Sequence, residues 1–177
     1  GVGYELAAPD EIVKGIPENI RVLILPYALA MSDAECAVIE KFVARGGLLI
    51  ADHDPGVMSE HAQFRRKSPF LKIFGNFDRM HGKKNGKGYA AYLQNFISGA
   101  NSRIQKGDAS GIQYAMLRLL DKAGVRPLAR VTDKSGNIAG TMVFQNGSDR
   151  YLTLLAQRSQ PAAAVKKAAG AEGGASL

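Results

Sequence analysis

The sequence predicts an α/β protein with a parallel sheet, followed by a small antiparallel β element. Three observations predict it. Two short apolar runs, Val22 to Leu25 and Leu48 to Ala51, flank a stripe of apolar residues at helical spacing. A second helical stripe occupies residues 109–123. After it, strand-like runs follow one another with turn-rich links and no helix between them.

The N-terminal segment is the least patterned. Residues 1–6 are short and partly apolar and read as a strand remnant, and residues 9–15 read as one turn of helix and a loop. Val22, Leu23, Ile24 and Leu25 form a continuous apolar run, as expected of a strand covered on both faces. Pro26 lacks an amide hydrogen and closes that strand. Ser32 with Glu35 three positions on makes a capping box, and Met31 and Cys36 stand at hydrophobic-staple spacing around it. Val38, Ile39, Phe42 and Val43 supply the buried stripe of the helix that follows. Gly46 and Gly47 end it, and Leu48 to Ala51 is the second strand. A strand-helix-strand unit of this length predicts a right-handed crossover between parallel strands.

Beyond this unit, residues 55–74 are mixed and predict short helical pieces, with residues 69–75 as a small helix stopped by glycine. Residues 80–88 read as a glycine- and lysine-rich loop. Residues 88–95 read as a third strand with Tyr89, Ala91 and Leu93 on one face. The helix over 109–123 carries Ile112, Met116, Leu119, Leu120 and Ala123 on one stripe. Asp108 is its expected N-cap; Gly124 and Val125 form a Schellman-type stop. Strands are expected at 127–132, 138–145 and 151–156, antiparallel, with turns at 133–137 and 146–149. The domain reading is therefore an α/β domain over 1–125, an antiparallel β segment over 126–158 that begins a β-rich domain, and a disordered tail over 159–177 rich in alanine and glycine.

Composition bounds the function classes. The chain has 177 residues, 46% hydrophobic and 22% charged, in the ordinary range for a globular protein. No apolar run approaches the roughly 20 residues of a membrane helix, and no signal-peptide pattern opens the chain. A single cysteine, Cys36, excludes an internal disulfide and any multi-cysteine metal site. The compartment is left open, cytoplasm being compatible. The net charge of +7 is concentrated between Glu60 and Gly88, where Arg65, Arg66, Lys67, Lys72, Arg79, Lys83, Lys84 and Lys87 face only Glu60 and Asp78. Arg65, Arg66, Lys83, Lys84 and Lys87 are the anion-binding candidates, and a polyanion-binding module is one functional reading. The simpler reading is a solvated segment, because Phe64, Phe70, Phe74 and Phe77 look like core anchors rather than a base-stacking platform. Nucleic acid is accordingly not an expected partner.

The wording of these pieces resembles the amidotransferase-like domain known as the β-galactosidase trimerisation domain. That domain follows the catalytic barrel in A-type β-galactosidases and related multidomain carbohydrate-active proteins. The resemblance is carried by residues 22–27, 29–35, 42–52 and 56–61, and by 86–93, within a span from Tyr4 to Gln157. It implies a flavodoxin-like, class I glutamine amidotransferase-like parallel sheet, incomplete here, in a module that lacks catalysis and helps subunits assemble. It also implies a homo-oligomer and other domains of the parent chain as partners, with no cofactor and no membrane. A first strand and helix would be expected before Gly1, the strand lying centrally between the second and third. The β-rich part would be expected to continue beyond three strands. The chain is therefore expected to be a fragment, cut at both ends, of a longer protein.

The turn after the second strand is where catalysis is tested. Amidotransferases of this class place a cysteine nucleophile on that sharp turn. Here it holds Asp52, His53 and Asp54, while Cys36 falls at the staple position of a helix. These four are the candidate residues for a hydrolase or amidotransferase with a displaced site; none is assigned as catalytic. Asp52, His53, Asp54 and His61 are not expected to bind metal, since neighbouring residues on an extended segment point to opposite faces and Asp54-Pro55-Gly56 is a turn signal by itself. Nothing places Glu60 and Asp52 or Asp54 across a sugar-sized cleft as paired carboxylates. His81 is expected at the surface. The run from Gly82 to Gly88 lacks the Lys-Ser/Thr ending of a phosphate loop and precedes a strand, not a helix.

Overall fold

The computed structural model describes residues 2–94, 99, 102, 109–126, 138–146 and 149–156. It divides into two units, one formed by Glu5–Arg126 and the other by Gly1–Tyr4 with Pro127–Leu177.

In the larger unit the elements are α1 (Pro9–Lys14), β1 (Val22–Leu25), α2 (Asp33–Ala44), β2 (Leu48–Ala51), α3 (Leu71–Phe74), β3 (His81–Asn85), β4 (Gly88–Tyr92) and α4 (Ala109–Lys122). The sheet order is β1-β2-β4-β3. β1, β2 and β4 are parallel, with Val22 beside Leu48 and Leu48 beside Tyr89, and β3 is antiparallel to β4. The architecture is the expected α/β class, an incomplete flavodoxin-like sheet.

The sequence dictates two layers against this sheet. α2 begins with the predicted capping box: Ser32 Oγ accepts from the Glu35 amide at 3.2 Å and Glu35 Oε2 accepts from the Ser32 amide at 2.7 Å. Met31 and Cys36 are both buried beside it. The α2 stripe of Ile39, Phe42 and Val43 packs on Leu49, Ala51, Ala90 and Tyr92, with Phe70, Ile73 and Phe74 on the same face. The opposite face presents Leu48, Ile50, Ala91 and Leu93 to Met116 and Leu119 of α4 and to Ala123 just past it. β2 is buried along its whole length, which is why its sequence is uniformly apolar. α4 ends as predicted: the Gly124 amide donates to the Asp121 carbonyl and the Val125 amide to the Leu120 carbonyl, with Gly124 at φ 68.

Several expectations are corrected. Residues 2–6 hold no strand. Residues 80–88 are not a loop: His81–Asn85 is strand β3, hairpinned onto β4 through Gly86 at φ 58 and Lys87. The Asn85-Gly86 pair, a strong hairpin signal, was the clue. No gap separates β1 from β2; they pair in continuous register, so the strand expected centrally between them has no place there. Phe70 and Phe74 are core anchors and Phe77 packs against them, but Phe64 is 76% exposed. His81 is partly buried and not a free surface residue.

The smaller unit contains β5 (Ile138–Asn146) and β6 (Asp149–Ala156), an antiparallel pair with Asn146 opposite Asp149 and an irregularity between Ile138 and Gly140. The strand expected at 127–132, the cap at Asp108, the turn at 133–137 and the tail lie outside the described residues.

Candidate functional site

The carboxyl ends of parallel strands are where an α/β fold builds its sites. At this end β1 and β2 behave alike. Two residues beyond each strand stands a non-glycine residue in the left-handed region, Tyr27 at φ 55 and His53 at φ 56. Their rings meet edge to face with centroids 4.1 Å apart. Each such backbone state costs about 1–2 kcal/mol for an L-residue, so the surrounding bonds must hold it. They do. The Asp52 amide extends the ladder to the Leu25 carbonyl at 3.2 Å, and the His53 amide donates to Asp52 Oδ1 at 2.9 Å. The Gly56 amide donates to the Ala28 carbonyl, and Met58 exchanges amide-carbonyl bonds with Leu29 and Met31, so the loops after β1 and β2 run side by side.

The carboxylates of this turn differ. Asp52 is fully buried, and one of its oxygens holds the backbone of the turn. Asp54 is exposed and accepts from the Tyr92 hydroxyl at 3.4 Å. Burial, with Asp54 beside it, pushes the Tyr92 hydroxyl up to about 12. Tyr92 therefore stays a neutral donor across the physiological range.

Cys36 is 3% exposed, packed in the α2 core with Met31 and Ile39. Burial pushes its thiol up to about 11, with Arg65 opposing the shift. A nucleophilic thiol needs the opposite shift. His61 and Glu60 are exposed in the turn that follows, where the His61 amide lies 3.3 Å from Ser59 Oγ. Among the described residues, no group of three or more His, Cys, Asp and Glu side chains is placed to hold a metal ion.

The five anion-binding candidates do not form one patch. Arg65 pairs with Asp33 and donates to the Met31 carbonyl at 2.8 Å, which ties the loop after β2 to the N-terminus of α2. Arg66 is exposed. β3 then divides its lysines by strand alternation. Lys83 faces α3 and donates to the Lys72 carbonyl at 3.0 Å. Lys84 stands opposite Tyr89 on the other face, and it lines a recess with Lys87 and Lys122. That recess includes Gly46, just past the C-terminal end of α2. The 12-residue helix holds it about 17 Å from the Arg65 anchor. Only Lys84 and Lys87 of the five are brought together.

Sequence reasoning missed Tyr27, Tyr92 and Lys122. Tyr27 sits at a strand end, the one positional signal that could have found it. Tyr92 and Lys122 come to their places by tertiary packing alone.

No protein-family model matches the chain, and no curated protein sequence matches it. Solved structures do. Gan42B, a GH42 β-galactosidase from G. stearothermophilus, and its catalytic mutant each match with a TM-score of 0.59 at 16% identity, over 76% of this chain and 26% of theirs. A β-galactosidase from Bacillus circulans sp. alkalophilus matches with a TM-score of 0.54 at 15% identity, over 77% of this chain and 27% of its own. The chain has a β-galactosidase-related fold. It spans about a quarter of the length of these structures, and at this identity the likeness concerns fold alone.

Proposed function

We propose that this chain is a non-catalytic, amidotransferase-like module of a larger glycoside-hydrolase-like carbohydrate-active protein, of the kind named the β-galactosidase trimerisation domain, and that it acts in subunit assembly or inter-domain packing. The observation that carries the reading is the turn after β2. Where a nucleophile would stand, Asp52 is buried and holds the amide of His53. Cys36, the only thiol in the sequence, is packed under α2 with its ionisation suppressed. The fold likeness to a segment of GH42 β-galactosidases supports a parent of that kind. The outer edge of β1, unpaired among the described residues and carrying Ile24 at 38% exposure, supports a packing role.

The test is an assay of the full chain for glutaminase and esterase turnover. The expected result is a rate indistinguishable from buffer, unchanged in Cys36→Ala. Turnover abolished by Cys36→Ala or by His53→Ala would overturn the reading in favour of a small hydrolase with a displaced site.

A further inference from the structure

Two stretches distant in sequence, the β3–β4 hairpin and α4, meet at the amino ends of β2 and β4. β3 brings Lys84, the hairpin turn brings Lys87, and the last turn of α4 brings Lys122. Between them lies a recess of about 170 Å³ walled by Gly46, Gly88 and Tyr89. Lys84 is the cross-strand partner of Tyr89, and Lys122 Nζ lies 3.6 Å from the centroid of the Tyr89 ring. The aromatic face thus holds one ammonium at the wall of the recess.

Three cations in one place ordinarily have carboxylate partners or cap helix carbonyls. Neither holds here. Among the described residues no carboxylate lines the recess, and Lys84, Lys87 and Lys122 join no ion pair. The nearby helix ends are closed by backbone amides. Phe42 and Val43 carbonyls of α2 accept from Gly47 and Gly46, and Leu120 and Asp121 carbonyls of α4 accept from Val125 and Gly124. Lys122 rests on the Tyr89 ring and the negative ends of α2 and α4 lie nearby; an anion held by all three ammonium groups would offset their like charge.

We propose that this recess is a binding site for a small oxyanion, a phosphate or sulfate group, free or as a monoester. Three ammonium groups supply compact, rotatable donors for such a group. Gly46 leaves its side of the recess open, whereas the missing side chain of Gly88 is taken up by the Val43 carbonyl. The size of the recess suits one such group rather than a polyanionic chain, whose contacts would need the lysines and arginines spread in a continuous track. The site is independent of the assembly role proposed above.

The test is calorimetric titration of the full chain with sodium phosphate, sodium sulfate and glucose phosphate, at ionic strength held constant with sodium chloride. Saturable one-site binding of at least one of them is expected. It should weaken at least tenfold in Lys84→Gln/Lys122→Gln and persist in Lys67→Gln, which removes an exposed charge elsewhere; far-UV circular dichroism checks that the variants, all at exposed positions, keep their fold. Glucose phosphate binding tighter than phosphate identifies an ester ligand, and equal or weaker binding identifies the free ion; both support the site. Absence of saturable binding at matched ionic strength, or equal weakening by Lys67→Gln, overturns it.

Discussion

Cys36 shows how one burial decides a chemical character. The same thiol at an open helix N-terminus would be acidified, but within the α2 core it is pushed up to about 11. In the unfolded chain it returns to roughly 8.5–9. Between these values the unfolded state has lost the proton that the folded state keeps, so stability falls as pH rises through that interval. Tyr92, raised to about 12, extends the decline upward with the same sign. Urea unfolding between pH 8 and roughly 11.5 should therefore show a falling midpoint. Cys36→Ala should flatten the lower part of that fall, and Tyr92→Phe the upper part. At neutral pH, alkylation of native Cys36 by iodoacetamide should be at least tenfold slower than in urea. A native rate matching the unfolded one would show an accessible thiolate and contradict the packing described.

At the scale of elements, β3 explains what the basic segment does for the fold. α3 is a four-residue helix whose terminal carbonyls lack helical partners. Alternate residues of β3 reach them: Lys83 Nζ donates to the Lys72 carbonyl at 3.0 Å, Asn85 Nδ2 to Ile73 at 3.0 Å, and His81 Nε2 lies 2.7 Å from the Phe74 oxygen. The edge strand is thus pinned by side chains as well as by its ladder to β4. Asn85→Asp replaces a donor by an acceptor facing the same carbonyl, and should cost about 1–2 kcal/mol, read as a lower urea midpoint with faster amide exchange in β3. Asn85→Gln, which restores a donor, should recover part of the loss; unchanged exchange in the aspartate variant would contradict the latch. This pinning is also why the strand escaped sequence reading. Gly82, Lys83 and Lys84 are poor strand formers, and their pairing comes from β4 and α3, not from local propensity. The α2 cap and the α4 stop were legible because each is built from residues within six positions. The position of Asp52, His53 and Asp54 after a strand was legible for the same reason. Their contacts with Tyr27 and Tyr92 were not, because they join the ends of three separate strands.

Across the larger unit, the sheet is protected unevenly. The β3 edge is lysine-rich and pinned by three side chains, a common guard against strand addition. The β1 edge is apolar, with Val22 and Leu23 half-buried and Ile24 exposed, and no described strand pairs beyond it. Parallel strands of this composition normally lie inside a sheet, so an open edge of this kind favours addition of another chain or domain. If the assembly role proposed above operates through this edge, the full chain should show a concentration-dependent mass by sedimentation equilibrium. Ile24→Lys should then weaken association at least tenfold. The substitution places a charge on an already exposed edge position, so its folding cost should stay near about 1 kcal/mol, checked by the urea midpoint. Asp10→Lys, in the exposed first turn of α1, adds still more positive charge outside the sheet and should leave association unchanged. A chain that stays monomeric at every concentration, or an Ile24→Lys variant that associates as well as the parent chain, would remove β1 as the assembly edge while leaving the oxyanion recess at the other side of the sheet untouched.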